Sequence, residues 1–291
     1  MNNILVRFAL GLFWLLHWLP LSVLAPLGRG FGRLLHLVGR ERREVARTNL
    51  ELCFPEWTPA QREAVVRRHF ECFGRALLES SIAWFGSAER LRAVVKLEDW
   101  HHVPADGRFI LLVPHFSALD LEGIRLTLEY RGIAVYAHQK NRVFDEFLLR
   151  VRSRFNGTRM IARNDGVKAI LRGYREGFSL QLSPDMDLGA RDSIFVPFFG
   201  VPAATVTALS RMSRLTGAPI VPAVIRQLDG SAGYVIRAWP AWDNYPGASV
   251  EEDTLRMNAF IEARVREMPE QYLWLHKRFK TRPEGAPPVY P

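Results

Sequence analysis

Cysteine is scarce in this chain of 291 residues, and neither a sequence repeat nor a low-complexity tract is present. Cys53 and Cys72 are too few for a disulfide framework, and no C-x-x-C pair indicates structural zinc. We therefore expect a reducing compartment. The composition, 48% hydrophobic and 24% charged, also excludes a disordered or fibrous chain.

Acidic residues are fewer than basic ones, with 30 Asp and Glu against 39 Lys and Arg, and the net charge is +9. Such a surface favours an anionic partner: nucleic acid, an acidic protein, a phosphorylated substrate or anionic lipid. Because no nucleic-acid-binding motif or stacking platform accompanies the charge, we expect no nucleic-acid partner.

Lysine, arginine and acidic residues are missing from Phe8 to Leu27, where His17 is the one titratable side chain. Twenty apolar residues approach the span of a bilayer core, although Pro20 would kink a spanning helix. Six arginines follow between residues 29 and 47 and mark that side as cytoplasmic. They disfavour a cleaved signal peptide, and apolarity on all faces disfavours a buried core helix. We expect an uncleaved membrane anchor, which either spans the membrane or lies in its interface.

Behind this run, short apolar segments alternate with segments of helical spacing. The predicted strands are Phe109–Val113, Ile133–His138, Arg159–Ala162, Phe178–Leu182 and Ile220–Ile225, with Tyr234–Trp239 added at an edge. The predicted helices between them are Leu119–Tyr130, Asp145–Phe155, Gly166–Arg175 and Thr205–Thr216. This alternation predicts an α/β fold with a largely parallel sheet covered by helices on both faces.

Capping signals predict further helices outside the alternating region. Thr58-Pro59-Ala60-Gln61 opens one that runs toward Gly86, Ser249-Val250-Glu251-Glu252 opens one that runs to Met268, and Pro269 starts the last. We divide the chain into a membrane anchor (1–28), a helical lead-in (29–90), an α/β domain (91–283) and a loose tail (284–291).

The predicted strand Phe109–Val113 is followed by an H-x4-D array, His115 to Asp120. Open α/β sheets bind ligands beyond the carboxyl ends of their strands. Two other arrays of this kind, His36/Glu41 and His101/Asp106, lack the flanking strand and helix. The structural alternative is that Asp120 caps the helix and that His115 is an ordinary turn residue.

Three later segments follow the array in a recognisable order: Gly157–Arg163, Ser183–Asp187 and the proline-bracketed strand Ala218–Pro222. With the H-x4-D array they resemble the four sequence blocks of the glycerolipid acyltransferases. The resemblance is closer to the bacterial lipid A biosynthesis acyltransferases, whose signatures are similar to Asn49-Leu50, Cys53–Glu56, Val196–Gly200 and Gln271–Pro283. It extends over essentially the whole chain. The family usually has H-F-G-N-W-E and D-Q-D where this chain has His115–Asp120 and Asp185-Met186-Asp187.

The resemblance implies an O-acyltransferase, acting without a cofactor at the cytoplasmic face of the bacterial inner membrane. The acyl donor it implies is acyl-acyl carrier protein, and the acceptor is a hydroxyl of a phosphorylated glucosamine disaccharide. His115 is then the general base, and Asp120 orients it and stabilises the imidazolium. No G-x-S-x-G motif is present, so we expect no covalent acyl-enzyme.

The remaining candidate residues are assigned to the acceptor. Arg163, with Arg159 as a companion, is expected to bind phosphate through its guanidinium, unless either is only a solvated strand end. Asp185 and Asp187 lack a neighbouring His or third acid, so we expect no metal there and prefer helix capping or binding of an acceptor hydroxyl.

Two other functions fit part of the pattern. The four blocks alone allow an acyltransferase for another membrane acceptor, a lysophospholipid or an amino-acid lipid, although Gln271–Pro283 argues against it. The positive charge alone allows a membrane-tethered, non-catalytic protein that binds nucleic acid or anionic lipid. Four basic residues of the last segment are expected to meet lipid headgroups or the carrier protein, or to form an ordinary exposed face: Lys277, Arg278, Lys280 and Arg282.

Overall fold

A computed structural model describes residues 3–290 of the chain. Its helices are α1 (Asn3–Leu16), α2 (Leu21–Val38), α3 (Arg40–Cys53), α4 (Pro59–Phe85), α5 (Ala88–Val94), α6 (Leu119–Leu126), α7 (Arg142–Arg152), α8 (Val167–Arg175), α9 (Ala208–Thr216) and α10 (Val250–Glu267). Its strands are β1 (Val95–Glu98), β2 (Ile110–Leu112), β3 (Gly132–Tyr136), β4 (Arg159–Ala162), β5 (Ser179–Leu182), β6 (Ser193–Phe198), β7 (Val201–Val206), β8 (Ile220–Gln227) and β9 (Tyr234–Ala238).

Seven strands form one sheet in the order β1-β9-β8-β2-β5-β3-β4, and all neighbours are parallel except β8 and β9. Each residue of β2 is buried, as expected for a strand at the centre of a sheet with helices on both faces. The predicted α/β fold with a mostly parallel sheet is therefore confirmed. The capping box at Thr58 also opens α4 as predicted.

Three details of the predicted topology were wrong. The strand from Tyr234 is not at an edge, because it lies between β8 and the unpredicted strand β1. The hairpin of β6 and β7 was also missed, since Pro197 and Pro202 argue against a strand; they face each other in a two-stranded ladder, where missing N–H groups are tolerated. Pro269 starts only a single 3₁₀ turn, Pro269–Gln271.

The expected anchor helix is not supported. The apolar run is divided between α1 and α2, with a break before Pro20, and none of the helices described within residues 3–290 has the length and apolarity needed to cross a membrane. Residues 1 and 2 of the expected anchor lie outside the described residues. The domain boundaries at 28, 90 and 283 stay a prediction. The tail that we expected to be loose is tied to α3, since the Tyr290 hydroxyl donates to Asn49 Oδ1.

Close packing against α4 holds α2 on the rest of the protein. A Cβ at Gly28 would lie 2.5 Å from Arg75 Cα, and one at Gly32 would lie 2.1 Å from the Phe70 carbonyl oxygen. The two helices therefore approach at a distance that only glycine allows. The second half of the apolar run is thus bound to the rest of the protein.

We expect Gly32→Ala to lower the free energy of unfolding by about 1–3 kcal/mol, because the added methyl must displace the α4 backbone. The matched control is Gly30→Ala, in the same helix, whose Cβ would meet no atom within 4 Å. Alanine there should leave stability unchanged or raise it by about 0.5–1 kcal/mol. Denaturant unfolding of the two purified variants checks this, and equal stabilities would contradict the proposed packing.

Candidate active site

The loop that follows β2 carries His115 and is held at the carboxyl edge of the sheet by a segment from the end of the chain. The Ser117 N–H donates to the Gln271 carbonyl at 2.7 Å, and the Leu273 N–H donates to the His115 carbonyl at 3.0 Å. Phe116 and Tyr272 form an antiparallel bridge between these contacts. His115 is therefore fixed by backbone bonds on both sides.

The partner of the His115 ring is Asp185, which follows the adjacent strand β5. Nδ1 donates to Asp185 Oδ1 at 2.7 Å, and the His115 backbone N–H donates to Asp185 Oδ2 at 2.9 Å. The neighbouring parallel strands β2 and β5 bring the two residues together at one edge. With Nδ1 engaged, Nε2 is the nitrogen left for a substrate.

Asp120 does not make the contact with His115 that we predicted. Its Oδ1 accepts from Arg152 Nε at 2.8 Å, and its Oδ2 accepts from Trp84 Nε1. Asp185 therefore takes the orienting position that the sequence assigned to Asp120. Asp120 lines the same cavity as His115, and a part for it in catalysis stays a prediction.

Asp187 binds a segment near the carboxyl terminus of the chain. Its Oδ2 accepts from the Thr281 N–H at 2.6 Å and its Oδ1 from the Thr281 hydroxyl at 2.8 Å. Its own N–H donates to His276 Nε2 at 2.9 Å. Because both carboxylate oxygens are occupied by protein donors, these contacts favour a structural part for Asp187 over binding of an acceptor hydroxyl.

The two predicted phosphate ligands lie at opposite ends of β4. Arg163 follows the carboxyl end of the strand, lines the cavity and forms no ion pair with a described residue. Arg159 begins the strand, pairs with Glu176 Oε2 at 2.5 Å and stacks 4.0 Å over the Phe178 ring. The structure therefore separates Arg159 from His115, and the expectation that it accompanies Arg163 is not met.

A cavity of about 1260 Å³ joins His115 to Arg163. This exceeds the roughly 300–1,000 Å³ of a site for one small ligand. Its walls combine apolar side chains with four arginines: Ile124, Ile133, Ile170, Leu182 and Met212, and Arg152, Arg163, Arg191 and Arg211. Of these arginines, the sequence predicted only Arg163 as a site residue. The cavity can therefore hold an apolar chain beside an anionic group.

Electrostatics at the buried pair favour an ionised Asp185. Burial, the largest effect, raises the pKa of this carboxyl, but the charge and hydrogen bonds of His115 and the charge of Arg278 lower it below its usual range. The negative carboxylate accepts from Nδ1, so Nε2 is the ring nitrogen that Asp185 does not engage. A His–carboxylate pair beside a cavity is an arrangement that can support general acid–base chemistry.

Sequence comparison identifies the protein as an acyltransferase and gives its family. The profile of the family described as bacterial lipid A biosynthesis acyltransferase matches residues 2–281. The chain belongs to this family.

Individual relatives match over most of their length. The Lipid A biosynthesis lauroyltransferase of Escherichia coli (strain K12) is 36% identical over 98% of this chain and 94% of the relative. The palmitoleoyltransferase of that organism is 34% identical with the same coverage, and its myristoyltransferase is 35% identical over 90% of this chain and 81% of the relative. Among solved structures, the 1-acyl-sn-glycerophosphate acyltransferase PlsC from Thermotoga maritima matches 85% of this chain and 98% of its own, with 15% identity and a TM-score of 0.42.

Proposed function

We propose that the protein transfers a fatty acyl chain from acyl-acyl carrier protein to a hydroxyl of a lipid A precursor. The observation that carries this proposal is the His115–Asp185 pair, which opens on a cavity with both aliphatic and cationic walls. The relatives named as lauroyl-, palmitoleoyl- and myristoyltransferases of lipid A biosynthesis support this choice of acceptor.

In the proposed reaction, His115 Nε2 takes the proton of the acceptor hydroxyl as its oxygen attacks the thioester carbonyl carbon. The new C–O bond gives a tetrahedral intermediate, which collapses as the C–S bond breaks. The imidazolium then returns the proton to the leaving thiolate. Asp185 stabilises the imidazolium between these steps, because its carboxylate stays on Nδ1.

The cationic wall of the cavity suits the phosphate of the acceptor. The Arg163 guanidinium has no hydrogen-bond or ion-pair partner among residues 3–290, whereas Arg191 and Arg211 lie 3.9 and 3.7 Å from the carboxylate of Asp192. An unpaired guanidinium offers a phosphate two parallel hydrogen bonds with no competing anion to displace. Arg163 is therefore the proposed phosphate ligand.

We expect Arg163→Ala to raise the KM for the phosphorylated acceptor at least about tenfold, since a charge-assisted hydrogen bond contributes roughly 1.5–3 kcal/mol. The KM for the carrier-protein donor should change little. Arg159→Ala is the matched control, because it lies on the same strand but at the far end and should leave both constants unchanged. Steady-state kinetics with each substrate varied in turn check this, and an effect confined to the donor would reassign Arg163.

The amino-terminal helices supply the proposed contact with the inner membrane. Their large apolar side chains are exposed, as expected for helices that lie in the interface instead of crossing it: Ile4, Leu5, Phe8, Leu12, Trp14, Leu15, Trp18, Val23, Leu27, Leu34, Leu37 and Val38. Phe13 of α1 packs 5.0 Å from the Trp84 ring, and Trp84 donates to Asp120 at the cavity. The lipid-facing helix therefore adjoins the site.

We propose that the catalytic domain is on the cytoplasmic face, where an acidic carrier protein would meet the positive surface. Protease digestion of sealed inside-out vesicles tests this orientation, because a protected domain would place it in the periplasm.

Purified protein incubated with acyl-acyl carrier protein and a phosphorylated lipid A precursor tests the reaction. We expect the precursor to gain one acyl chain. A lysophospholipid offered in parallel tests the alternative acceptor, and acylation of that lipid alone would contradict the proposal.

A further inference from the structure

The segment from Gln271 to Thr281 surrounds Asp185 as well as the His115 loop. The Tyr272 hydroxyl donates to Asp185 Oδ2 at 3.1 Å. This is the oxygen that also accepts from the His115 N–H, whereas Oδ1 faces the His115 ring. The ring of Tyr272 packs edge-on against Phe116 and Trp274, so the direction of the hydroxyl is set by buried neighbours.

Arg278 is the second residue of this segment that bears on Asp185. We expected an exposed cation, but the residue is only 2% exposed, and its guanidinium stacks 5.1 Å over the Phe198 ring. Its Nη1 donates to the Ala204 carbonyl at 2.8 Å and its Nη2 to the Thr205 hydroxyl at 2.7 Å. No carboxylate among residues 3–290 forms an ion pair with it, so its charge is balanced through space and not by a direct partner.

We propose that Tyr272 is a positioning residue that aims the Asp185 carboxylate at His115 Nδ1, and that the buried charge of Arg278 supports the same carboxylate from a distance. This inference rests on the proposed function above. A carboxylate with no exposed surface is costly unless donors and positive charge compensate for the lost water. Asp185 is 0% exposed and accepts hydrogen bonds from His115 and Tyr272. The charge of Arg278 adds to this compensation through space.

The electrostatics of the pair agree with this geometry. The charge of Arg278 is among the causes that lower the pKa of Asp185 against the opposing effect of burial. Burial, and then the charge of Asp185, raise the pKa of the Tyr272 hydroxyl well above its ordinary value, so it stays a hydrogen-bond donor.

Two other ionisable groups near the pair, His276 and Cys53, each keep one protonation state near pH 7. Burial, followed by the charge of His115, lowers the pKa of His276 to about 4, so this ring is neutral near pH 7. Burial raises the pKa of the Cys53 thiol, which therefore stays protonated. Asp187 is held by Thr281, and Asp120 on the cavity side is held by Arg152.

The base role proposed for His115 sets the direction in which the acid limb of the pH–rate profile should move. Loss of the Tyr272 hydroxyl or of the Arg278 charge leaves Asp185 a stronger acceptor for the imidazolium. The acid limb of the pH–rate profile should then move to a higher pH. A residue that only supports the fold would lower activity without moving this limb.

We expect Tyr272→Phe to lower kcat by about tenfold with little change in either KM, and to move the acid limb of kcat/KM up by roughly half a pH unit. The matched control is Tyr234→Phe. The Tyr234 hydroxyl also donates to a buried carboxylate. That carboxylate belongs to Glu79, which is far along the chain from the His115 loop. The Tyr234→Phe variant should be less stable, but the acid limb of its kcat/KM profile should not move.

A second pair of variants provides an independent measurement. Arg278→Met should move the limb in the same direction, and Arg278→Lys, which keeps the charge, should restore most of its position. In an Asp185→Asn background, Tyr272→Phe should have no further effect on kcat.

The proposal would be overturned if the acid limb of the pH–rate profile stays in place in both Tyr272→Phe and Arg278→Met. It would also be overturned if the effects of Tyr272→Phe and Asp185→Asn on kcat are fully additive. These results differ from failure of the proposed function, in which the wild-type protein would not acylate the lipid A precursor or His115→Ala would remain active.

Discussion

His115→Ala is expected to lower acyl transfer by about 10²–10⁴-fold, the usual effect of removing a general base. His115 is the imidazole that lines the cavity with its Nδ1 held by a carboxylate, which leaves Nε2 for the acceptor hydroxyl. The loop should still fold, since its contacts with Gln271 and Leu273 use backbone groups of His115 and Ser117. Initial rates of the purified variant, with circular dichroism to verify folding, provide the measurement.

His101→Ala is the matched control for this variant. His101 also belongs to an H-x4-D array, but it is exposed in a 3₁₀ turn, Trp100–His102, before β2. Its removal should be almost silent. Equal losses at the two positions would show that the location of His115 at the sheet edge does not carry the chemistry.

Asp185→Asn is expected to cause a loss of similar size, because an amide cannot compensate the charge of the imidazolium. In a hydrolase triad the corresponding substitution lowers kcat by about 10⁴. The stability of the folded protein should also respond to pH. Since the pKa of Asp185 is lowered on folding, its contribution is present above the pKa of the unfolded chain and is lost as the pH falls through the folded value. The Asn variant should lack this dependence.

Asp120→Asn separates the sequence-based assignment from the structural one. Asp120 accepts from Arg152 and Trp84, and Asn can still accept one of these bonds through its amide oxygen. We expect a smaller loss of activity and an unmoved acid limb. If Asp120→Asn is the more damaging variant and Asp185→Asn keeps activity, Asp120 is the orienting carboxylate and the hydrogen bond to Asp185 is incidental.

The fold was predictable because its signals are local. Apolar strands alternating with amphipathic helices define a parallel sheet, and the Thr58 box fixes the start of α4. Strand β1 was not predictable in this way, since Val95–Glu98 is four residues long and follows α5 without a break. The position of β9 was missed for the same reason, because without β1 it has no neighbour on that side.

The site was predictable only in part, because its contacts join distant segments. A histidine after a strand and carboxylates after another strand are visible in the sequence, but the choice between Asp120 and Asp185 depends on how β2 and β5 pair. The burial of Arg278 was hidden by the basic residues around it. Its buried position depends on the hairpin of β6 and β7, which supplies Ala204 and Thr205 as acceptors.

One departure from the family pattern has a local explanation. The resemblance leads us to expect glycine where this chain has Ser117, and the hydroxyl of Ser117 donates to the Gln271 carbonyl at 2.9 Å. Glycine could make only the backbone bond to the same carbonyl. The serine therefore adds a bond between the His115 loop and the segment that carries Tyr272.

Mass spectrometry of lipid A tests the central claim most directly. Bacterial cells that lack the protein would be compared with cells that express it and with cells that express His115→Ala at the same level. We predict that lipid A from the wild-type cells carries one more acyl chain than lipid A from the other two. Lipid A of the same mass in all three, with phospholipids altered instead, would contradict the account.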